Sequence, residues 1–308
     1  MRLPVTDTEI GMNSELKRLI AKSQGDGFTG WYSPAQVQKL LQQTGVSMRQ
    51  LMLELVRYAC EYAYVPISDF TVGAVSLGDS GALYFGCNLE FAGAALSFCT
   101  HAEQSAITHA KFHGETGVSA LAISAAPCGF CRQFLYELRV GKDLAVFLQD
   151  QQTTLGSLLP DPFGPGELGN KCRLLDRQDH RLSLTKPTSD TVILSALDAA
   201  NTCYAPYTQG YAGVALVDSS GRVFNGGCKE NVAYNPSLSP MEAALVPYTF
   251  AGSSMSHLAR AVLVECIPSK CSQVSASRAV LASISPEVEL EVYQANSAET
   301  PDCLETNE

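Results

Sequence analysis

Hydrophobic and polar positions change period several times along the chain, and each change marks an element. Ser33-Pro34 reads as a helix N-cap followed by proline at the first helical position. Val37, Leu40 and Leu41 then recur at helical spacing, and Gly45 is a stop signal. Ser47 is placed to cap a second helix with Leu51, Leu55, Tyr58 and Tyr62 on one side. The pattern then turns to a strand over 70–77, a Gly78-Asp79-Ser80-Gly81 turn and a second strand over 82–86. A helix starting near Thr100 carries Ala102, Ala106, Ile107 and Ala110. Residues 121–124 read as a short buried strand, and another helix runs from Cys128 to Val140. Residues 1–30 are polar and weakly patterned, so a loosely held extension is expected there. The segment 151–187 holds Pro160, Pro162 and Pro165 among Gly164, Gly166 and Gly169, the composition of a partly packed linker. The acidic tail after Asn296 is expected to be disordered.

The pattern also repeats. Tyr64-Val65-Pro66 returns as Tyr204-Ala205-Pro206, an offset of 140, and Gly73, Gly81 and Gly86 return as Gly213, Gly221 and Gly226. The offset drifts later, where Ala106-Ile107 resembles Ala244-Leu245. Two long copies indicate a duplicated domain rather than a solenoid. Alternating strands and helices place each copy in the α/β class. The expected organisation is an extension and helix over 1–47, a first domain over 48–150, a linker over 151–187, a second domain over 188–293 and a tail over 294–308.

Composition narrows the function. With 308 residues and 46% apolar content, the chain can bury two cores. No run of about 18 apolar residues is present, so no membrane partner is expected. The net charge of −10 supplies no basic stripe for a phosphate backbone, so no nucleic-acid partner is expected and a small, weakly charged ligand is the better fit. Eleven cysteines, an odd number in a long chain, argue for a reducing compartment. The N-terminus lacks an apolar signal region and carries Asp7, Glu9 and Glu15, which leaves the cytoplasm as the expected location.

The chemistry concentrates in His101-Ala102-Glu103 and Pro127-Cys128-Gly129-Phe130-Cys131. Imidazole and thiolate suit zinc. Cys128 and Cys131 lie three apart, so both can face one ion from the first turn of a helix, and His101 sits at the start of another. Three protein ligands leave the fourth zinc position for water, the arrangement of a catalytic site. Such a water ionises near neutral pH, and Glu103 is placed to hold it and carry protons. A redox or structural Cys-x-x-Cys leaves His-x-Glu unexplained, and no second Cys-x-x-Cys completes a four-cysteine site. The combined pattern is the signature of the zinc nucleobase deaminases.

On these residues the chain resembles the cytidine deaminases, in their long, two-domain, homodimeric form. The resemblance spans 48–293 and is densest at 70–74, 86–91, 101–107 and 127–134, with Phe163-Gly164-Pro165 also matching the long form. It implies a three-layer α/β/α sheet flanked by helices, duplicated in a catalytically inactive second domain. It implies Zn2+ on His101, Cys128 and Cys131, with Glu103 as proton shuttle. Phe70, Asn88, Glu90 and Ala102 are implied to bind the nucleoside, Asn88 and Glu90 through the ribose 3′-hydroxyl and Ala102 through its main chain. The implied reaction converts cytidine and 2′-deoxycytidine to uridine and 2′-deoxyuridine in pyrimidine salvage, the alternative being a cytosine in a nucleotide or polynucleotide. Neutral Gln104 fits a zinc already balanced by two thiolates, while Arg132 is expected to form a structural ion pair. The second copy reads Ser239-Pro240-Met241-Glu242 and Pro268-Ser269-Lys270-Cys271-Ser272 where the motifs should stand. It is expected to bind no metal, with Glu242 surviving near the general-base position.

Overall fold

The computed structural model of the chain describes residues 14–25 and 27–297. The first half contains α1 (Ser14–Ser23), β1 (Trp31–Tyr32), α2 (Pro34–Thr44), α3 (Met48–Cys60), β2 (Gly73–Gly78) and β3 (Leu83–Cys87). It continues through α4 (Ala102–Phe112), β4 (Val118–Ile123), α5 (Gly129–Leu135), β5 (Ala145–Phe147), β6 (Gln152–Thr154) and α6 (Leu155–Leu158). The second half contains β7 (Ser183–Leu184), α7 (Thr191–Asn201), β8 (Ala212–Asp218), β9 (Val223–Gly227), α8 (Pro240–Phe250), β10 (Leu258–Ile267), α9 (Val274–Ile284) and β11 (Leu290–Asn296).

The two sheets run β1-β3-β2-β4-β5-β6 and β7-β11-β10-β8-β9. Their centres are alike: an antiparallel hairpin, an antiparallel neighbour and then a parallel strand. A parallel neighbour requires a crossover, which α5 and α9 supply. The hairpin register repeats at the offset of 140, with Gly73 opposite Cys87 and Gly213 opposite Gly227. Helices cover both faces of the first sheet. Leu51, Leu55 and Ala59 of α3 share a core with Val75, Phe85 and Ala122, whereas Ala102, Ala106 and Ile107 of α4 share one with Ala74, Leu121 and Ile123. Alternation along each strand separates these faces. The architecture is the duplicated α/β/α arrangement expected from the sequence.

Local signals set the helix ends. Ser33 and Ser47 each accept from the backbone N–H three residues on, and Gln36 and Gln50 return the bond. Gly45 closes α2 with φ 69°. In β3, Gly86 lies so close to α4 that a Cβ there would fall 2.1 Å from the Ala102 carbonyl oxygen. Gly226 of β9 stands in the same relation to α8, 2.2 Å from Ala244 N.

Several sequence expectations differ from the structure. Residues 14–23, within the expected loose extension, form α1, because Leu16 and Ile20 share one face and are buried. Residues 1–13 lie outside the described residues. The helix expected over 128–140 ends at Leu135, where the chain turns and carries Glu137 into the second half. The strand expected from Phe70 begins at Gly73, because Asn88 holds residues 70–72 instead. The expected linker contributes β6 to the first sheet and β7 to the second. The tail expected from 294 is strand through Asn296, while 298–308 lie outside the described residues.

The halves share one interior. His109 of α4 stacks on Phe250 of α8, ring centroids 4.5 Å apart, and Phe250 also meets Tyr62 and Phe85. The fully buried Glu137 accepts from Tyr204 Oη at 2.7 Å, Tyr207 Oη at 2.8 Å and Val232 N at 2.7 Å.

Candidate metal and active site

Two helix starts converge. His101 precedes α4 as its N-cap, and Cys128 precedes α5 as its N-cap, with Cys131 in the first turn. The ligand atoms of His101, Cys128 and Cys131 all lie within 4.8 Å of one another. His101 Nδ1 is 3.5 Å from Cys128 Sγ and 3.3 Å from Cys131 Sγ. Tetrahedral zinc with ordinary Zn–S and Zn–N bonds separates such atoms by about 3.6 Å, so the three residues fit that ion. Among the described residues no other His/Cys/Asp/Glu group gathers in this way.

Electrostatics favour a thiolate here. Hydrogen bonds from Cys131 and then His101 push the Cys128 thiol down to about 3. The same bond holds Cys131 protonated well above its usual range, and His101 is raised by its bond to Cys128. Helix N-termini add positive potential in the same direction. Glu103, the second residue of α4, is 4% exposed, and desolvation holds its carboxyl above the usual range. A proton carrier beside the trio is therefore shielded from bulk water.

The surrounding side chains hold the trio in place. Arg132 donates from Nε to Pro127 O at 2.8 Å and from Nη1 to Leu158 O at 2.8 Å. It braces the cysteine loop through backbone carbonyls, which corrects the ion pair expected for it. Gln104 accepts from His101 N and donates to Pro236 O of the second half, so its place is in capping and docking.

The structure also brings Asn88 and Glu90 together beside one loop. Asn88 Oδ1 accepts from Val72 N and Nδ2 donates to Phe70 O, at 2.8 and 2.9 Å. Glu90 accepts from Ile67 N, Ser68 N and Ser68 Oγ. The amide keeps one proton and the carboxylate keeps lone pairs for a hydroxyl. Phe70 is half-buried at the end of this loop, and Ala102 is fully buried at the start of α4. The loop-holding role of Ser68 was not read from the sequence. Its signal was the repeat: Thr208 and Glu230 make the same bonds, from Tyr207 N, Thr208 N and Thr208 Oγ1.

The second copy has a different register from the one expected. Ser239 is the N-cap of α8 and Glu242 its third helical residue, bonded back to Ser239 N. Glu242 therefore stands where Gln104 stands in α4, and Met241 takes the place of Glu103. Burial pushes Glu242 up to about 7, and its carboxylate caps α8 by accepting from Ser239 N.

Residues 46–147 and 155–278 each match the family described as "Cytidine and deoxycytidylate deaminase zinc-binding region", together more than half of the chain. A protein named "Cytidine deaminase" from Vibrio atlanticus (strain LGP32) is 42% identical over 264 residues, 85% of this chain and 89% of the relative. Its namesake from Aeromonas hydrophila is 43% identical over 284 residues, 92% and 96% of the two chains. A solved structure of cytidine deaminase from Mycobacterium tuberculosis is 33% identical with a TM-score of 0.36, covering 39% of this chain and 99% of that one.

Proposed function

We propose, for a chain that belongs to the cytidine and deoxycytidylate deaminase family, that the first half holds the working site and acts on free cytosine nucleosides. The chain catalyses zinc-dependent hydrolytic deamination of cytidine to uridine and ammonia. We extend the substrates to 2′-deoxycytidine and the setting to pyrimidine salvage. The observation that carries the site assignment is the His101–Cys128–Cys131 cluster with buried Glu103 beside it.

His101, Cys128 and Cys131 would hold the zinc. When bound, the ion lowers the pKa of a water from 15.7 to about 7 and so supplies hydroxide at neutral pH. Glu103 takes a proton from the water, delivers it to N3 of the cytosine and so makes C4 more electrophilic. It then passes a proton to the departing amine, which leaves as ammonia. One carboxylate serves both transfers because N3 and the amine lie side by side on the ring. Asn88 and Glu90 grip the ribose hydroxyl with the hydrogen-bonding capacity left by the loop. Phe70 packs against the nucleoside, and the Ala102 backbone meets the pyrimidine edge. Fixing the sugar far from C4 orients the ring for attack.

The second half holds no metal in this reading, since Ser239 and Met241 replace a ligand and the shuttle. The protein is cytoplasmic and homodimeric in the same reading, which follows the family resemblance. No helix among the described residues is long and apolar enough to cross a membrane. The test is zinc content together with an absorbance assay on cytidine, cytidine monophosphate and a single-stranded oligonucleotide. One zinc per chain with turnover of cytidine alone is the expected result. Two zincs per chain, or faster turnover of the monophosphate or oligonucleotide, overturns it.

A further inference from the structure

A cavity of about 600 Å3 opens between the two halves, bounded by the far end of α4, the end of α7, β9 and residues 174–178. It lies toward the end of α4 opposite to His101, since Lys111 on its wall is ten residues further along the chain. We propose that this cavity is a binding site for a small phosphate-bearing anion of the size of a nucleoside monophosphate, with Lys229 and Lys111 as its cationic floor.

The first observation is an internal comparison. Leu89 and Lys229 occupy the same place in the two copies. Leu89 bridges Tyr64 and Thr100, and Lys229 bridges Tyr204 and Leu238. Leu89 is a fully buried core residue, whereas Lys229 is an ammonium group only 5% exposed. Burying a cation is expensive unless a counter-charge meets it. Lys229 Nζ has one bond, to Gly227 O at 3.1 Å, which leaves two of its three protons for another acceptor.

The second observation is the rest of the wall. Lys111 Nζ donates to the Leu175 and Asp176 carbonyls, and burial first, then like-charge repulsion from Lys111, lowers Lys229 to about 8. Among the described residues neither lysine has a carboxylate within 4 Å. Two carboxylates do line the cavity. Glu115 is occupied by Ser80 Oγ, Tyr84 Oη and Thr116 N, and Asp198, like the cation Arg177 that also lines the cavity, is exposed to solvent. The deep end is therefore positive in a chain of net charge −10. A phosphate monoester supplies up to two negative charges and acceptor oxygens for both ammonium groups. The remaining volume accommodates an organic portion.

Titration calorimetry and thermal unfolding of the full, zinc-loaded protein test the site, with inorganic phosphate, uridine monophosphate and uridine as probes. Two variants accompany the wild type. Lys229→Leu installs the residue of the first copy, and Lys111→Met removes the second charge. Both should retain cytidine turnover, which verifies folding. The expected result is saturable binding of both phosphate-bearing probes and not uridine at this site. At a hundredfold excess over Kd, Tm rises by about 5 °C in the wild type, and the rise is lost in both variants. Absence of phosphate-dependent binding at millimolar concentration overturns the proposal. So does an equal rise in the variants, which would locate the anion at the zinc site or in general salt effects.

Discussion

Glu103 is the residue on which the proposed chemistry turns, and its role is separable from that of the ligands. Glu103→Ala should leave one zinc per chain and lower kcat by about 10^2- to 10^4-fold, measured by metal analysis and cytidine turnover on one preparation. Loss of zinc along with activity would make Glu103 structural. A second residue reports on stability rather than turnover. His109 is buried, with Nδ1 2.9 Å from Phe85 O and Nε2 3.2 Å from His113 Nε2. Neutral His109 donates from Nδ1 and accepts from His113. Desolvation pushes it down to about 3. Its folded pKa thus lies below the unfolded value, so the unfolded chain binds the extra proton. The contribution is intact above about pH 6.5 and is lost at about 1.4 kcal/mol per pH unit on acidification toward 3. Between pH 7 and 5 this group should remove about 2 kcal/mol of stability, and urea unfolding of His109→Gln should lack that increment.

At the scale of elements, the approach of β3 to α4 joins fold and site. Gly86→Ala forces a Cβ against the Ala102 carbonyl oxygen and 2.4 Å from Ala106 N, so α4 has to move. A cost of about 1–3 kcal/mol is expected, together with reduced kcat/KM, because Ala102 lies between His101 and Glu103. Gly226→Ala meets α8 in the same way and should cost similar stability while sparing turnover. Equal losses of activity in both variants would contradict the assignment of chemistry to the first half. The caps at Ser33 and Ser47 are legible because they rest on residues close in sequence, and the metal trio and the duplication because short motifs with fixed spacing carry them. The end of α5 is not, because the partners of Glu137 lie about seventy to a hundred residues away. The register of α8 is hidden in the sequence for a related reason. A glutamate beside Met241 looks catalytic until Ser239 fixes the start of the helix. Residues 14–23 show little in the sequence because two buried side chains give a weak pattern until α2 supplies a surface for them.

For the whole molecule, Glu137 is the test of how the halves depend on each other. Its carboxylate satisfies two phenols and a backbone N–H from the second half. Glu137→Ala leaves Val232 N–H and the Tyr207 phenol without this acceptor and Tyr204 Oη with only its longer bond to Cys172 O, and a loss of about 3 kcal/mol is expected by chemical denaturation. A single transition for wild type, shifted as one in the variant, is the signature of one cooperative unit. Two resolved transitions would mean that each half folds alone.

The matched starts of α4 and α8 carry a further consequence. On one backbone, α8 begins Ser-Pro, a strong N-cap followed by proline, whereas α4 begins with a histidine whose ring faces two sulfurs. Serine at that position outranks residues that cap poorly by about 1 kcal/mol. If the first copy alone carries the chemistry, as proposed, the two starts are one trade-off seen twice: a ligand in one copy, a stronger cap in the other. His101→Ser should therefore abolish zinc binding yet raise the melting temperature above that of the chelator-stripped parent, and a fall in both would refute that trade-off.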